Sequence, residues 1–352
     1  MEEPCMNAET ETIKPLLDKV ADGNFLSETE AGTAFDIIMS GNATPAQIGA
    51  FLMGLRVRGE TVNEITAAAR IMRSKALSIV APKNAIDLVG TGGDGSGTLN
   101  ISTGAAIVVA GCGVPVAKHG NRALSSKTGS ADVLSALGVN INCEMSLIEK
   151  SIKEAGIGFM MAPRHHSATR HVAGPRVELA TRTIFNILGP LSNPASVKRL
   201  LVGVFDRKWV KPMAEVLRNL GAEKAWVVHG SDGLDELTIT GPTYVAAWEN
   251  SEIKTFEVSP DQAGLPYGKL EDLKGGSSEE NANAMLAMLQ GKPSAFRDVV
   301  VYTAAAALLI ANKTVNLKQG SELAKNAIDN GSAKRTLDKL ISITNEESGS
   351  VS

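Results

Sequence analysis

Asp87-Leu-Val-Gly90-Thr-Gly-Gly-Asp94-Gly-Ser-Gly-Thr98-Leu-Asn100-Ile-Ser102-Thr103 carries a short apolar strand, 86–89, into a glycine-rich turn and then into an apolar helix. Glycine has no Cβ, so backbone N–H groups can close around an anion. A helix that begins just beyond adds unpaired donors and a partial positive charge. The pattern Gly90-x-Gly92-x-x-Gly95 has the form of a dinucleotide fingerprint. That fingerprint wants an acidic residue at the end of the second strand to hold ribose hydroxyls. Here the second strand ends Val116-Ala117-Lys118, and a cation suits phosphate better than a ribose diol. No Gly-Lys-Ser/Thr follows the glycines, which removes the P-loop reading. The plain alternative is a tight strand–helix turn without a ligand.

Outward from this turn the chain alternates. Strands are expected at 86–89, 114–117, 158–161, 200–204 and 225–228, with helices at 130–137, 147–155 and 210–220 between them. That alternation predicts a largely parallel sheet flanked by helices. Leu237, Ile239, Tyr244 and Val245 mark further β structure within 237–257. Helices return at 278–291, 296–312 and 317–344, and the polar tail from Glu346 is expected to fray. Before residue 86 only helices are expected. Ser27-x-x-Glu30 has capping-box spacing after Leu26, and Thr61-x-x-Glu64 repeats it. Thr44-Pro45-Ala-Gln47 places a cap before proline at the first helical position. Ile48, Phe51, Leu52 and Leu55 then form one inward face; Ile65, Ala68, Ala69 and Met72 form another.

At 352 residues the chain is long for one core. With 43% hydrophobic and 21% charged residues it has an ordinary globular composition, and 4% aromatics implies an aliphatic core. A net charge of −3 argues against nucleic acid as a partner. No apolar run approaches the ~20 residues of a membrane span, so no membrane association is expected. Met1-Glu-Glu-Pro-Cys-Met lacks the basic and apolar regions of a signal peptide. Three scattered cysteines, Cys5, Cys112 and Cys143, point to a reduced, cytoplasmic protein.

Three further segments carry candidate chemistry. Lys118-His-Gly-Asn-Arg122-Ala-Leu-Ser-Ser-Lys127-Thr-Gly-Ser130 packs three cations and four hydroxyls between a strand and a helix. These suit phosphate, and two such loops after neighbouring strands converge at the carboxyl edge of a parallel sheet. A solvated basic loop is the bland reading. Gly233-Leu-Asp235-Glu236 follows the strand at 225–228. Adjacent carboxylates repel unless water or a cation separates them, and beside polyphosphate Mg²⁺ is the fitting cation. Arg164-His-His-Ser-Ala-Thr-Arg-His171-Val-Ala-Gly-Pro-Arg176 clusters His165, His166 and His171 without a cysteine or a zinc spacing. Arg176 can bind a substrate carboxylate or pair with Glu178. The stretch 182–194 reads as a buried helix with a proline-rich stop.

Together GTGGDG…TLNIST (90–103), KHGNRALSSKTGSADVL (118–134), RTIFNILGPLSNP (182–194) and GLDE (233–236) resemble the anthranilate phosphoribosyltransferase family over nearly the whole chain. The resemblance implies a fold of the nucleoside phosphorylase/phosphoribosyltransferase kind. Residues 1–83 with about 174–198 would form a small helical domain. Residues 84–173 and 199–352 would form a large α/β domain. It implies a homodimer joined through the helical domains and a Mg²⁺-dependent reaction, with two ions per subunit. In that reaction anthranilate and phosphoribosyl pyrophosphate give N-(5-phosphoribosyl)anthranilate and pyrophosphate in tryptophan biosynthesis.

Carried over, Gly90, Gly93, Asp94, Thr98, Asn100, Ile101, Ser102 and Thr103 contact the phosphoribosyl donor. So do Lys118, His119, Gly120, Asn121, Arg122, Ala123, Leu124, Ser125, Ser126 and Ser130. Anthranilate meets Gly90, Asn121, Arg176 and His119, and Mg²⁺ is held by Ser102, Asp235 and Glu236. No essential base is assigned, because an aromatic amine attacks through a free lone pair; His119 is placed to take the proton afterwards. Departures from the common family pattern, Ser167, Gly174-Pro175 and Ala180-Thr181, gather near the acceptor. A nucleoside phosphorylase, a non-catalytic relative and a paralogue with another aromatic acceptor are the rival readings.

Overall fold

The computed structural model describes residues 12–123 and 127–347. Leu124, Ser125 and Ser126, Cys5 and the tail from residue 348 lie outside the described residues. The chain opens with α1 (Lys14–Ala21), α2 (Glu28–Met39), α3 (Pro45–Arg58) and α4 (Val62–Ser74). All three expected cap motifs are present as reciprocal capping boxes, Ser27 with Glu30, Thr44 with Gln47 and Thr61 with Glu64. Both predicted inward faces are buried.

Strand β1 (Ile86–Gly90) leads into α5 (Ile101–Gly111) and β2 (Val116–Gly120). Next come α6 (Ser130–Ala136), α7 (Met145–Glu154), β3 (Ile157–Met161), α8 (Ala162–His165), α9 (Arg170–Leu179) and α10 (Phe185–Leu188). Then follow β4 (Arg199–Gly203), α11 (Val210–Asn219), β5 (Lys224–Gly230), β6 (Thr243–Glu249) and β7 (Glu252–Val258). The chain closes with α12 (Ser278–Leu289), α13 (Ala295–Ile310), α14 (Leu317–Asp329) and α15 (Ser332–Thr344). The single helix expected over 317–344 is therefore two. Gly331 sits between them with φ 76°, a left-handed turn that an α-helix cannot contain. The helix expected in 182–194 is shorter than read, one turn of α-helix continued by a 3₁₀ turn at Gly189–Leu191.

The seven strands form one sheet in the order β3-β2-β1-β4-β5-β6-β7. The first five are parallel and buried on both faces, which is why their sequences read as apolar runs. β6 and β7 add antiparallel. Asn250 and Ser251 join them with φ 50° and 63°, as a twisted hairpin requires. β7 alternates Glu, Lys and Thr along the exposed edge, which blunts it against further pairing. Helices α5, α7, α13 and α15 pack into a layer on one face. α11 covers the other face and contacts α4 of the N-terminal bundle, while α9 packs on α2 and α3.

β1 pairs along its whole length with β4, from Ile86 opposite Arg199 to Gly90 opposite Gly203. Its register with β2 holds only at Ile86 opposite Val116, so the two strands diverge toward their carboxyl ends. The chain order reverses beside β1, and in open α/β sheets such a reversal is where ligands bind.

Candidate active site

At the carboxyl edge of β1 and β2 lies a cleft of about 230 Å³. Every predicted donor and metal residue among the described ones lines it. Gly90, Gly93, Asp94, Thr98, Asn100, Ile101, Ser102 and Thr103 come from the glycine loop and the start of α5; Lys118 to Ala123 and Ser130 come from the second loop. Asp235 and Glu236 close its floor. Leu124, Ser125 and Ser126 lie outside the described residues. Lys127 is exposed and is not part of the lining.

The floor is built by close backbone packing. A Cβ on Gly90 or Gly203 would collide with Asp235, so β1 and β4 need glycine where the acidic turn crosses them. Asp235 accepts from the Gly92 N–H at 2.6 Å, and Glu236 accepts from the Ser102 N–H at 3.1 Å. Asp94 turns back on Ser96, accepting from its N–H at 3.0 Å and its hydroxyl at 2.8 Å. Burial, then repulsion from Asp94 and Glu236, pushes the Asp235 carboxyl well above the usual carboxylate range. Burial raises Glu236 to about 7, against the pull of Lys118 and Ser102. Ionised together, these groups need a cation. Their hard oxygens suit Mg²⁺, which takes one or two carboxylates and shares the rest of its shell with substrate phosphates. Among the described residues no three His, Cys, Asp or Glu side chains are grouped closely enough to hold a metal by themselves.

Lys118 is 2% exposed, its Nζ donating to Leu88 O at 2.6 Å and lying 3.5 Å from Ser102 Oγ. Burial lowers its pKa, while Asp87 and Glu236 oppose the shift. Arg122 instead pairs with Asp132 at 2.8 Å, and Asp132 also accepts from the Ala123 and Gly129 N–H groups. Arg122, Ala123 and Gly129 of the second loop are thus held by Asp132 of α6.

His119 and Asn121 also line a second cavity of about 180 Å³, together with Met72, His166, Arg176 and Phe185. Arg176 stands 5.4 Å from the Phe185 ring centre and makes no ion pair with Glu178 among the described residues. Gly90 borders only the first cleft. The His119 and His166 rings meet edge to face at 5.1 Å. Burial, then His166, lowers His119 to about 3; burial, then His165, lowers His166 to about 4. Both are neutral imidazoles, and His119 is a weak base. Among the described residues His165, His166 and His171 are not part of any group of three side chains that could hold a metal ion. Ser167, Gly174, Pro175, Ala180 and Thr181 are not among the lining residues of either space, though Gly174 and Pro175 stand in α9 just before Arg176, which is.

Several contributors escaped the sequence reading. The segment Leu273 to Gly276 pins the glycine loop through Leu273 O to Leu99 N, Lys274 Nζ to Ser96 O and Gly97 O to Gly275 N. Arg182 donates to Gly93 O and lies over the Phe205 ring at 4.0 Å. The 273–276 segment carries no short motif, and Arg182 opens the RTIFNILGPLSNP stretch without a role being read for it there.

Residues 14–76 match the helical bundle domain of a glycosyl transferase family, and residues 82–334 match its a/b domain. The anthranilate phosphoribosyltransferase of Azospirillum brasilense is 60% identical over 333 residues, covering 95% of this chain and 93% of its own length. That of Rhodospirillum rubrum is 62% identical over 331 residues, covering 94% and 95%. Among solved structures, the anthranilate phosphoribosyltransferase of Thermus thermophilus aligns with a TM-score of 0.89 at 42% identity, over 94% of this chain and 99% of that one. The Saccharomyces cerevisiae protein in complex with phosphoribosyl pyrophosphate and Mg aligns at 0.87 and 28% identity, over 94% and 97%.

Proposed function

This chain belongs to the anthranilate phosphoribosyltransferase family, and from that premise we propose how its residues share the work. It transfers the 5-phosphoribosyl group from phosphoribosyl pyrophosphate to the amine of anthranilate, a Mg²⁺-using step of tryptophan biosynthesis. The observation that carries the assignment of roles is the adjacency of two spaces: an anion cleft floored by carboxylates, and a mixed cavity with Phe185, Met72 and one arginine, joined at His119 and Asn121.

The donor occupies the cleft. Backbone N–H groups of the glycine loop, the start of α5 and the Lys118 ammonium face its phosphates, and Asn100, Asn121 and Ser130 add neutral contacts. Ser102, Asp235 and Glu236 hold Mg²⁺. Two ions per subunit fit because the two carboxylates are anchored apart, Asp235 at Gly92 in the glycine loop and Glu236 at Ser102 in the first turn of α5. Bound Mg²⁺ neutralises charge on the pyrophosphate leaving group. Anthranilate lies in the cavity with its carboxylate on Arg176, its ring toward Phe185 and Met72, and its amine toward the cleft.

As the bond from the anomeric carbon to pyrophosphate breaks, the amine nitrogen forms the new bond, and the proton it then sheds passes to solvent water or to the released pyrophosphate. Its lone pair is free from the start, so attack needs no base, and the low basicity of neutral His119 agrees with that. Catalysis here is positioning and electrostatic stabilisation. We further propose the domain division at about residues 83, 174 and 198, a cytoplasmic homodimer joined through the helical part, and no nucleic-acid or membrane partner. No helix among the described residues is long and apolar enough to cross a membrane. The test is loss of anthranilate fluorescence in purified protein, which should require phosphoribosyl pyrophosphate, Mg²⁺ and anthranilate together. Donor-dependent thermal stabilisation without fluorescence loss would keep the cleft and remove anthranilate as the acceptor.

A further inference from the structure

β1 and β2 carry the two anion-binding loops, yet the backbone ladder between them ends at its first pair. Three side chains fill the wedge beyond it. Asp87, 0% exposed, accepts from the His119 backbone N–H at 3.2 Å through Oδ1. Its Oδ2 accepts from Asn193 Nδ2 at 2.7 Å, and the same Nδ2 donates to Ala117 O at 2.9 Å. Lys118 Nζ reaches back to Leu88 O. Where a parallel sheet carries peptide bonds to peptide bonds, this one uses a carboxylate, a carboxamide and an ammonium.

We infer that Asp87 and Asn193 are positioning residues, a buried clip that sets the spacing of the two loops and ties the acceptor wall to them. Asn193 ends the segment that supplies Phe185, Asn186, Gly189 and Pro190 to the acceptor cavity. His119 Nδ1 meets Gly189 O at 3.2 Å, a second tie between that segment and the end of β2. One buried carboxylate therefore ties together three things: the mouth of β1, the His119-Gly120-Asn121 corner and the end of the 182–194 stretch. A buried charge is retained only where hydrogen bonds and a counter-charge compensate it, and here each compensating group belongs to a different part of the site. Replacing the wedge with ordinary ladder pairing would close the cleft between the loops.

The inference rests on the donor occupying that cleft, so its test has an arm that does not. Asp87→Asn keeps the shape but cannot accept from both His119 and Asn193; Asn193→Ala removes the other half. Hydrogen exchange of the ligand-free protein over residues 117–121 should accelerate about tenfold in either variant, as local opening becomes easier. The Michaelis constant for phosphoribosyl pyrophosphate should rise about tenfold or more, the scale of one hydrogen bond to a charged group, with a smaller change in kcat. The double variant should be no worse than the worse single, because the two act as one unit. Unchanged exchange, or faster exchange with an unmoved donor constant, or effects that multiply, would each overturn the clip. Should Asp87→Asn fail to fold, Asn193→Ala decides alone. If the unsubstituted protein gains no thermal stability from donor with Mg²⁺, the donor's placement fails, and the exchange arm judges the clip by itself.

Discussion

Arg176 is a partly buried cation facing a ring, and burial lowers its pKa with no carboxylate to offset the loss of water. Such a group gains most when an anionic ligand arrives. Arg176→Ala should raise the Michaelis constant for anthranilate by roughly ten- to a hundredfold, since a charge-assisted hydrogen bond contributes about 1.5–3 kcal/mol; steady-state kinetics that leave it unmoved would remove Arg176 from the acceptor site. Glu236 presents the opposite case. Its folded pKa, about 7, stands above the ordinary 4.5, so the ligand-free fold binds more protons than the unfolded chain between those values. Stability should therefore fall as pH rises from 4.5 through 7. Glu236→Gln should be more stable than the parent by about 1–3 kcal/mol at pH 8 in chelator, and should lose Mg²⁺-dependent turnover. Denaturation in chelator at pH 5 and pH 8 checks the sign. At this scale the acidic pair and both loops were legible because their chemistry is local in sequence. Asp87 was not. It stands at the head of the deciding stretch, but only the divergence of β1 from β2, and partners as distant in the chain as His119 and Asn193, turn it into a clip.

The helices show what local rules can carry. Glu30 closes the capping box of α2 and also pairs with Lys19 of α1 at 2.7 Å, which holds its carboxyl down at about 2. A depressed carboxylate contributes above its unfolded pKa and is lost as pH falls through its folded one. Acid melting of the parent between pH 4.5 and 2 should therefore be steeper than that of Glu30→Gln, and Ser27→Ala should cost about 1 kcal/mol at neutral pH. Identical acid profiles would show that the pair and box leave stability untouched. Caps were readable for α2, α3 and α4, and inward faces for α3 and α4, because cap, spacing and apolar period agree. α9 was hidden. Gly174-Pro175 punctuates its middle, and a sequence reading ends a helix there, whereas tertiary packing on α2 and α3 carries it on to Leu179 and so aims Arg176. The join between α14 and α15 failed the other way, since a lone glycine in a helical period reads as tolerated until its φ is seen.

At the scale of the whole molecule, the cavity proposed for the acceptor is lined by Met72 of α4, Arg176 of α9 and Phe185 of α10 as well as by Thr91, His119 and Asn121 of the sheet edge, so what steadies those helices should steady it. Phe25 and Val57 are exposed apolar residues of the helical part, 58% and 81% accessible, and Arg58 lies over the Phe25 ring at 4.7 Å. Val177 on α9 is 78% accessible, one residue from Arg176 and on the helix that packs against α3. Apolar side chains left bare on one packed group of helices are what a self-complementary interface buries. Val57→Asp with Val177→Asp should then yield a monomer by sedimentation velocity without a large change in melting, because neither side chain is in the core. Val315→Asp, equally exposed but beyond α13, should leave the assembly intact. If the interface braces α9, the monomer should bind anthranilate more weakly while its constant for phosphoribosyl pyrophosphate stays near the parent's, for the donor loops rest on the sheet. A parent that sediments as a monomer would remove the interface, a double variant that sediments like a dimeric parent would place the contact elsewhere, and a monomer with both constants unchanged would separate assembly from the proposed acceptor site.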